Sequence, residues 1–135
     1  MRRIFIMGAT SGIGLAVAER LAAEGHTIGI AGRKDEVMKN LVAKYPGNVK
    51  WEHIDITKDD APDRMRSLIK KMGGMDVYFH ISGIGYENDA LLPSKEIATM
   101  QTNVVGFTRM VDAAFRYFRD KCGGTGQIAA ITSVA

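Results

Sequence analysis

The chain has 135 residues, of which 46% are hydrophobic and 24% are charged. These fractions are close to the average of globular domains and exclude a disordered chain. The formal net charge is +3 and the cations are dispersed, so the charge does not indicate a nucleic-acid partner. No apolar run approaches the ~20 residues that span a membrane, and the single cysteine, Cys122, favours a reducing compartment. We therefore expect one cytoplasmic domain over residues 1–135, without a membrane or nucleic-acid partner.

Short apolar segments alternate with helical periodicity along the whole chain. The apolar runs predict strands over residues 4–7, 27–31, 49–54, 76–81 and 127–132. The periodic segments predict helices over residues 12–24, 34–45, from a capping Asp59 or Asp60 to about residue 71, and 94–121. Continuous apolar strands joined through helices predict an α/β fold with a doubly wound parallel sheet. Right-handed crossovers favour the strand order 3-2-1-4-5.

The last predicted helix is apolar on more than one face. Its main stripe has 3-4 spacing and consists of Ile97, Met100, Val104, Phe107, Val111, Ala114 and Phe118. Four more apolar residues lie off this stripe: Val105, Met110, Ala113 and Phe115. Such a helix can pack on a second copy of the chain, so we expect a homo-oligomer. A helix wedged deeply into its own sheet would explain the pattern equally well.

The last predicted strand, over residues 127–132, is followed by only three residues. Without a covering helix it would leave a bare sheet edge with unpaired backbone groups. Natural domains rarely stop at such an edge. We therefore expect the chain to be a truncated form of a longer protein.

Three glycines, Gly8, Gly12 and Gly14, lie between the first strand and the first helix. A helix N-terminus offers free N–H groups and the positive end of the helix dipole, so it suits a pyrophosphate. Gly8 would permit a tight turn, Gly12 the approach of a phosphate, and Gly14 close packing of the helix on the strand. The alternative is that the glycines merely shorten a turn. The loop lacks the Gly-Lys-Ser/Thr of nucleotide-hydrolysing loops, which disfavours that activity.

The end of the second strand bears on the choice of cofactor. Folds that select NAD usually place an acidic residue there, whereas this chain has Gly32 followed by Arg33. A guanidinium can bind a 2′-phosphate through two hydrogen bonds, whereas a carboxylate would repel it. NADP(H) is therefore favoured over NAD(H), with Ser11 as a second candidate contact, and a solvated loop cation is the alternative for Arg33. The missing acid also weakens a methyltransferase interpretation.

The glycine spacing resembles the cofactor loop of the short-chain dehydrogenase/reductase family, although Met7 stands where the family usually has Thr. Asp55 and Ile56 are similar to the family's adenine-edge motif, in which Asp55 would accept a hydrogen bond from the adenine amino group and Ile56 would pack on the ring. A helix-entry aspartate is the alternative. The resemblance implies cofactor contacts at Gly8, Thr10, Ser11, Gly12, Ile13, Gly14, Arg33, Asp55, Ile56 and Gly83.

Residues 80–83 take the place of the family's Asn-Asn-Ala-Gly, and only Gly83 matches that motif. We expect His80 to be a strand-end histidine with satisfied hydrogen bonds, not a catalyst. In the family a Tyr donates a proton, a Lys four residues later lowers its pKa, a Ser holds the substrate oxygen and an Asn orders a relay water. The resemblance implies Ser133 and Asn103 for the last two roles. An end-of-strand hydroxyl and a helix-surface amide are the alternatives.

The Tyr and Lys of the family should follow Ser133 by roughly a dozen residues, and the chain ends earlier. The one Tyr-x-x-x-Lys present, Tyr117 to Lys121, should lie at the sheet edge away from ligands. The resemblance implies that the whole protein is an NADP-dependent oxidoreductase, which transfers hydride between a nicotinamide and a small carbonyl or alcohol substrate without a metal. The 135-residue chain itself is expected to be catalytically incomplete. A non-catalytic NADP sensor and an interaction domain with an empty glycine loop are the alternatives.

Overall fold

A computed structural model of the chain describes residues 1–10, 12–83 and 88–131. It contains a parallel sheet of five strands in the order β3-β2-β1-β4-β5. The strands are β1 (Arg3–Met7), β2 (Thr27–Gly32), β3 (Val49–His53), β4 (Val77–His80) and β5 (Gln127–Ala130). The helices are α1 (Gly12–Ala23), α2 (Asp35–Lys44), α3 (Ala61–Met72), α4 (Pro93–Met100) and α5 (Phe107–Lys121). The predicted fold class and strand order are confirmed.

Helices cover both faces of the sheet, and the alternation of side chains along each strand divides the core in two. Phe5 of β1 belongs to a buried cluster with residues of α3 and α5. The next residue, Ile6, belongs to a second cluster with residues of α1 and α2. Both side chains are fully buried. This two-sided burial explains why the strand sequences are apolar along their whole length.

The single helix predicted over residues 94–121 is wrong in one respect. Residues Gln101–Gly106 form a π-helical stretch, the π segment, which separates α4 from α5. A π turn holds more residues than an α turn, so a 3-4 spacing read through it does not stay on one face. Ile97, Met100 and Val104 are consequently 58%, 56% and 46% exposed, although the spacing places them on the core stripe.

The inward face of α5 also differs from the predicted stripe. Met110 lies off that stripe in the sequence pattern, yet it is fully buried together with Ala114. Phe115, also off the stripe, is 58% exposed.

Among the helices that the structure describes, none has both the length and the apolar composition that would span a bilayer.

The entry to α3 shows a second local difference. Asp60 occupies the N-cap position and Pro62 the first turn, as predicted, but the Asp60 side chain makes no capping hydrogen bond. Its Oδ2 instead accepts from Arg64 Nε at 2.8 Å, one helical turn later. Because both side chains are substantially exposed, this ion pair contributes little stability.

Strand β4 ends in a buried histidine. His80 Nδ1 lies 2.7 Å from the Tyr78 hydroxyl, and Phe107 meets the imidazole edge-to-face at a centroid distance of 5.1 Å. His80 Nε2 has no hydrogen-bond partner among the described residues. The expectation of a fully satisfied histidine is therefore wrong for this nitrogen. Burial lowers the pKa of His80 to about 4, against a smaller opposing effect of the Ser82 backbone.

Replacement of this histidine should change how stability depends on pH. The folded state keeps His80 neutral down to about pH 4, whereas the unfolded chain takes up a proton near pH 6.5. Stability is thus fully present above the unfolded pKa and is lost as pH falls from 6.5 towards 4. Urea unfolding should show a loss between pH 7 and pH 5 that is about 2 kcal/mol larger in the parent protein than in His80→Asn. Parallel pH profiles of the two proteins would contradict the assignment.

Candidate cofactor site

A cleft of about 440 Å³ opens at the carboxyl edge of the sheet. Its walls come from the ends of the five strands, the start of α1 and the π segment. Carboxyl edges of open parallel sheets are where ligands bind in this architecture. The lining residues are Met7, Gly8, Thr10, Ile13, Gly32, Arg33, Lys34, Ile54, Asp55, Ile56, Thr57, Ile81, Ser82, Gly83, Thr102 and Ile131.

The turn after β1 requires a glycine at position 8. Gly8 has φ +95°, and a Cβ there would lie 2.6 Å from the backbone nitrogen of Ser82. The turn is held from both sides, because Gly8 N donates to Ala31 O at 3.0 Å and Ser82 N donates to Met7 O at 3.0 Å. Neither neighbour can retreat without breaking a strand-end hydrogen bond. A side chain is therefore excluded at position 8, where the backbone itself lines the cleft.

Helix α1 begins unusually close to this turn. A Cβ on Gly14 would overlap the carbonyl oxygen of Gly8, whereas one on Gly12 would meet nothing within 4 Å. Ile13 lies between them and lines the cleft. The first turn of α1 contains no acidic residue. The first N–H groups of the helix and its positive dipole end thus form a site that suits an anion.

The end of β2 supplies the cations of the cleft. A Cβ on Gly32 would lie 2.6 Å from Thr10 Cγ2, so the two loops are in contact where an acidic side chain would otherwise stand. Arg33 and Lys34 line the cleft next to this contact. Asp35, which follows them, lies 2.6 Å from His53 Nδ1 through its Oδ1. Its carboxylate is thereby engaged by His53.

Asp55, after β3, is oriented by its own loop. Its Oδ1 accepts from Thr57 N at 3.0 Å and from Thr57 Oγ1 at 2.6 Å. Burial alone would raise the pKa of Asp55, but the Thr57 hydrogen bonds and the nearby Arg33 charge lower it overall. Asp55 is therefore ionised at neutral pH, and its Oδ2 has no hydrogen-bond partner within the described part of the chain.

The neighbouring Ile56 is placed differently from the expected adenine contact. Its side chain is only 3% exposed, and a Cβ on Gly106 would lie 2.7 Å from Ile56 Cγ1. Ile56 thus packs on the π segment and adds only a small surface to the cleft. Its main chain, between Asp55 and Thr57, remains part of the cleft wall.

The predicted catalytic residues are only partly within the described residues. Asn103, on the π segment, lies beside the loop that follows β4. Its Oδ1 is 3.4 Å from the position that a Cβ on Gly83 would take. Ser133 and Ser11 lie outside the described residues. Tyr117 is at the amino edge of the sheet, where its hydroxyl accepts from Met75 N at 3.2 Å. This position confirms that the Tyr117–Lys121 pair is remote from the cleft.

Sequence reasoning missed several residues of the cleft. Thr57 orients Asp55, Lys34 adds a second cation beside Arg33, and Thr102 forms the wall next to Asn103. The first two could have been found, because each follows a recognised residue and is polar. Thr102 carries no comparable signal, since its exposure to the cleft depends on the π segment.

The sequence matches the family model described as short chain dehydrogenase over residues 2–135. The chain belongs to the short-chain dehydrogenase family. It is 32% identical to a glucose 1-dehydrogenase of Gluconobacter oxydans, over 98% of this chain and 52% of that protein. It is 31% identical to the 3-oxoacyl-[acyl-carrier-protein] reductase MabA of Mycobacterium bovis, over 90% of this chain and 48% of that protein. The chain thus spans about half the length of the curated relatives it matches.

Solved structures share the fold at lower identity. An alcohol dehydrogenase of the archaeon Thermococcus sibiricus, complexed with 5-hydroxy-NADP, superposes with a TM-score of 0.82 at 23% identity, over 98% of this chain and 58% of that one. A short chain dehydrogenase from Bacillus anthracis superposes with a TM-score of 0.84 at 23% identity, over 98% of this chain and 55% of that one. Both likenesses support the strand order and helix placement described above.

Two glycine substitutions in the turn should have unequal effects on stability. Gly8→Ala forces an L-residue to φ +95° and a methyl group onto the Ser82 backbone, so we expect a loss of about 3 kcal/mol or more. In Gly12→Ala the added methyl group has open space around it, so we expect only the backbone cost of φ +56°, a loss of about 1 kcal/mol in stability. Urea unfolding of the two variants measures the difference. Equal losses would show that the turn yields more easily than its hydrogen bonds indicate.

Proposed function

We propose that this protein is an NADP(H)-dependent oxidoreductase that interconverts a carbonyl and an alcohol on a small molecule. One observation carries the proposal: the anion-binding start of α1 faces the same cleft as Arg33 and Asp55. A dinucleotide with a 2′-phosphate presents a pyrophosphate, a further phosphate and an adenine amino group. Each of these groups has a complementary group of opposite charge or hydrogen-bonding character in the cleft.

The shape of the cleft also fits such a cofactor. Side chains are excluded at Gly8 and Gly14 by the surrounding backbone, which leaves bare amides for the pyrophosphate. Arg33 and Lys34 would hold the 2′-phosphate, since Asp35 is engaged by His53. The unpartnered Oδ2 of Asp55 would accept from the adenine amino group, while Ile56 would meet the ring through its main chain.

The bound nicotinamide would supply or accept the hydride. Asn103, beside Gly83, would order a water near the reacting atoms, and Ser133 would hold the substrate oxygen. Within the 135 residues, the Tyr-x-x-x-Lys spacing occurs only at Tyr117 and Lys121, at the opposite edge of the sheet. The proposal therefore assigns cofactor binding to residues 1–135, as a dinucleotide-binding domain, and the proton donor to another part of the protein.

The relatives support the proposed class of substrate. Those named above are, by name, a dehydrogenase of glucose and a reductase of a 3-oxoacyl group. One solved structure of the fold contains an NADP derivative. The single cysteine of the chain is consistent with a reducing, cytoplasmic compartment.

Arg33→Ala should separate the two nicotinamide cofactors. Loss of a charge-assisted contact to the 2′-phosphate, worth about 1.5–3 kcal/mol, should weaken NADPH binding by about 10- to 100-fold and leave NADH binding nearly unchanged. Cofactor titrations followed by nicotinamide fluorescence measure both affinities. Arg20→Ala is the control, because Arg20 is an exposed cation in the last turn of α1.

The results also test the wider proposal. If NADPH affinity is unchanged in Arg33→Ala, the 2′-phosphate assignment is wrong. If the parent protein binds neither NADPH nor NADH at millimolar concentration, the protein is better described as an interaction domain. Binding without turnover of any carbonyl or alcohol by the whole protein would favour a sensor.

We further propose that the protein is a homo-oligomer. Ile97, Met100 and Val104 expose apolar surface along α4 and the π segment. Phe115 exposes further apolar surface on α5. Exposed apolar residues in this number are more typical of an interface than of a free surface. Met110 and Ala113, by contrast, pack on the protein's own core.

Phe115→Glu should therefore shift the assembly towards the monomer, because it places a charge within the apolar surface. Sedimentation velocity at micromolar concentration measures the shift. Arg116→Glu, at the neighbouring exposed position, changes the charge in the same direction and should leave the assembly intact. A monomeric parent protein would overturn the proposal.

A further inference from the structure

The loop that carries Asp55 is anchored from outside the cleft. Arg109 of α5 donates from Nη1 to the carbonyl oxygen of Ile56 at 2.6 Å and from Nη2 to Asp59 Oδ1 at 3.3 Å. The Asp59 side chain is fully exposed, so that contact contributes little. The Arg109 side chain is only 22% exposed, which partly shields the hydrogen bond to Ile56 from water. The carbonyl contact is therefore the anchor.

A second contact fixes the same residue through its side chain. Ile56 packs on Gly106, where a Cβ would lie 2.7 Å from Cγ1 and 2.8 Å from Cδ1. A larger residue at position 106 would force the Ile56 side chain to move. Main chain and side chain of Ile56 are thus both fastened to the start of α5.

The consequence falls on Asp55, whose peptide carbonyl precedes Ile56. Thr57 holds the Asp55 carboxylate on one side, and Arg109 holds the following carbonyl on the other. Re-orientation of the Asp55 carboxylate would break its hydrogen bonds to Thr57. Arg109 itself does not line the cleft but faces the groove between α3 and α5.

We propose that Arg109 is a positioning residue for the adenosine half of the cofactor. It fixes the Ile56 carbonyl to α5 and thereby sets where the Asp55 carboxylate meets the adenine amino group, without touching the cofactor. This inference rests on the proposed dinucleotide-binding function. It goes beyond that function because Arg109 lies on the side of the Asp55 loop that faces away from the cleft.

Arg109→Met tests the role, since methionine keeps an apolar stem and removes the donors. We expect binding of NADPH, NADH and AMP to weaken alike, by about tenfold. This factor corresponds to the free energy of one hydrogen bond, here the bond that holds the loop in place. The ratio of NADPH to NADH affinity should stay constant. Binding of reduced nicotinamide mononucleotide, which has no adenosine, should be unchanged. Arg109→Lys, which restores one donor and the charge, should recover part of the lost affinity.

Arg116→Met is the matched control, because Arg116 lies on the same helix and faces the same groove. It makes no hydrogen bond or ion pair to the residues that the structure describes, so its loss should leave all four affinities unchanged. Equal affinities of Arg109→Met and the parent protein would overturn the positioning role. An equal loss for nicotinamide mononucleotide would also overturn it, because a general loss of structure would then be the cause.

The two proposals fail in different ways. If the parent protein binds no nicotinamide cofactor and no AMP, the dinucleotide function itself is wrong. If the parent binds them and Arg33→Ala lowers only NADPH affinity, the function stands whatever Arg109→Met does. The role of Arg109 is then decided by the adenosine-containing ligands alone.

Discussion

The contact between the Gly8 carbonyl and Gly14 sets the position of the whole site. Because neither residue has a side chain, α1 starts against the end of β1, and its free amides reach the carboxyl edge of the sheet. A side chain at position 14 would push the helix away from the strand and displace the amides with it. The other groups of the cleft surround this helix start, whose free amides suit an anion.

The remaining groups reach the same edge because the sheet continues briefly beyond its strands. Met7 O accepts from both Ile81 N and Ser82 N, and Ala31 O accepts from Gly8 N and Ala9 N. These hydrogen bonds tie together the ends of three neighbouring strands, β2, β1 and β4, before their loops diverge. The geometry of the cleft is thus an extension of regular sheet hydrogen bonding, which explains how short loops can hold a precise backbone surface.

The fold could be predicted from the sequence, whereas several long-range contacts of the site could not. Alternating apolar runs and helical periods were sufficient for the five strands and their order, since buried parallel strands have few other arrangements. The π segment could not be predicted, because the apolar residues keep a helical 3-4 spacing through it, although Val104 is exposed and Met110 is buried. The contact of Arg109 could not be predicted either, because its partner, Ile56, lies 53 residues away and accepts through a backbone carbonyl, a group that every residue has.

The packing of Thr10 against Gly32 couples the side chains that these two positions can hold. A carboxylate at position 32, the usual means of gripping the ribose hydroxyls of NAD, would collide with the threonine methyl group, whose gap to a Cβ is only 2.6 Å. A side chain at position 32 would therefore require the Thr10 side chain to rotate away or to be replaced by a smaller one. The tolerance of position 32 to substitution thus depends on a single methyl group.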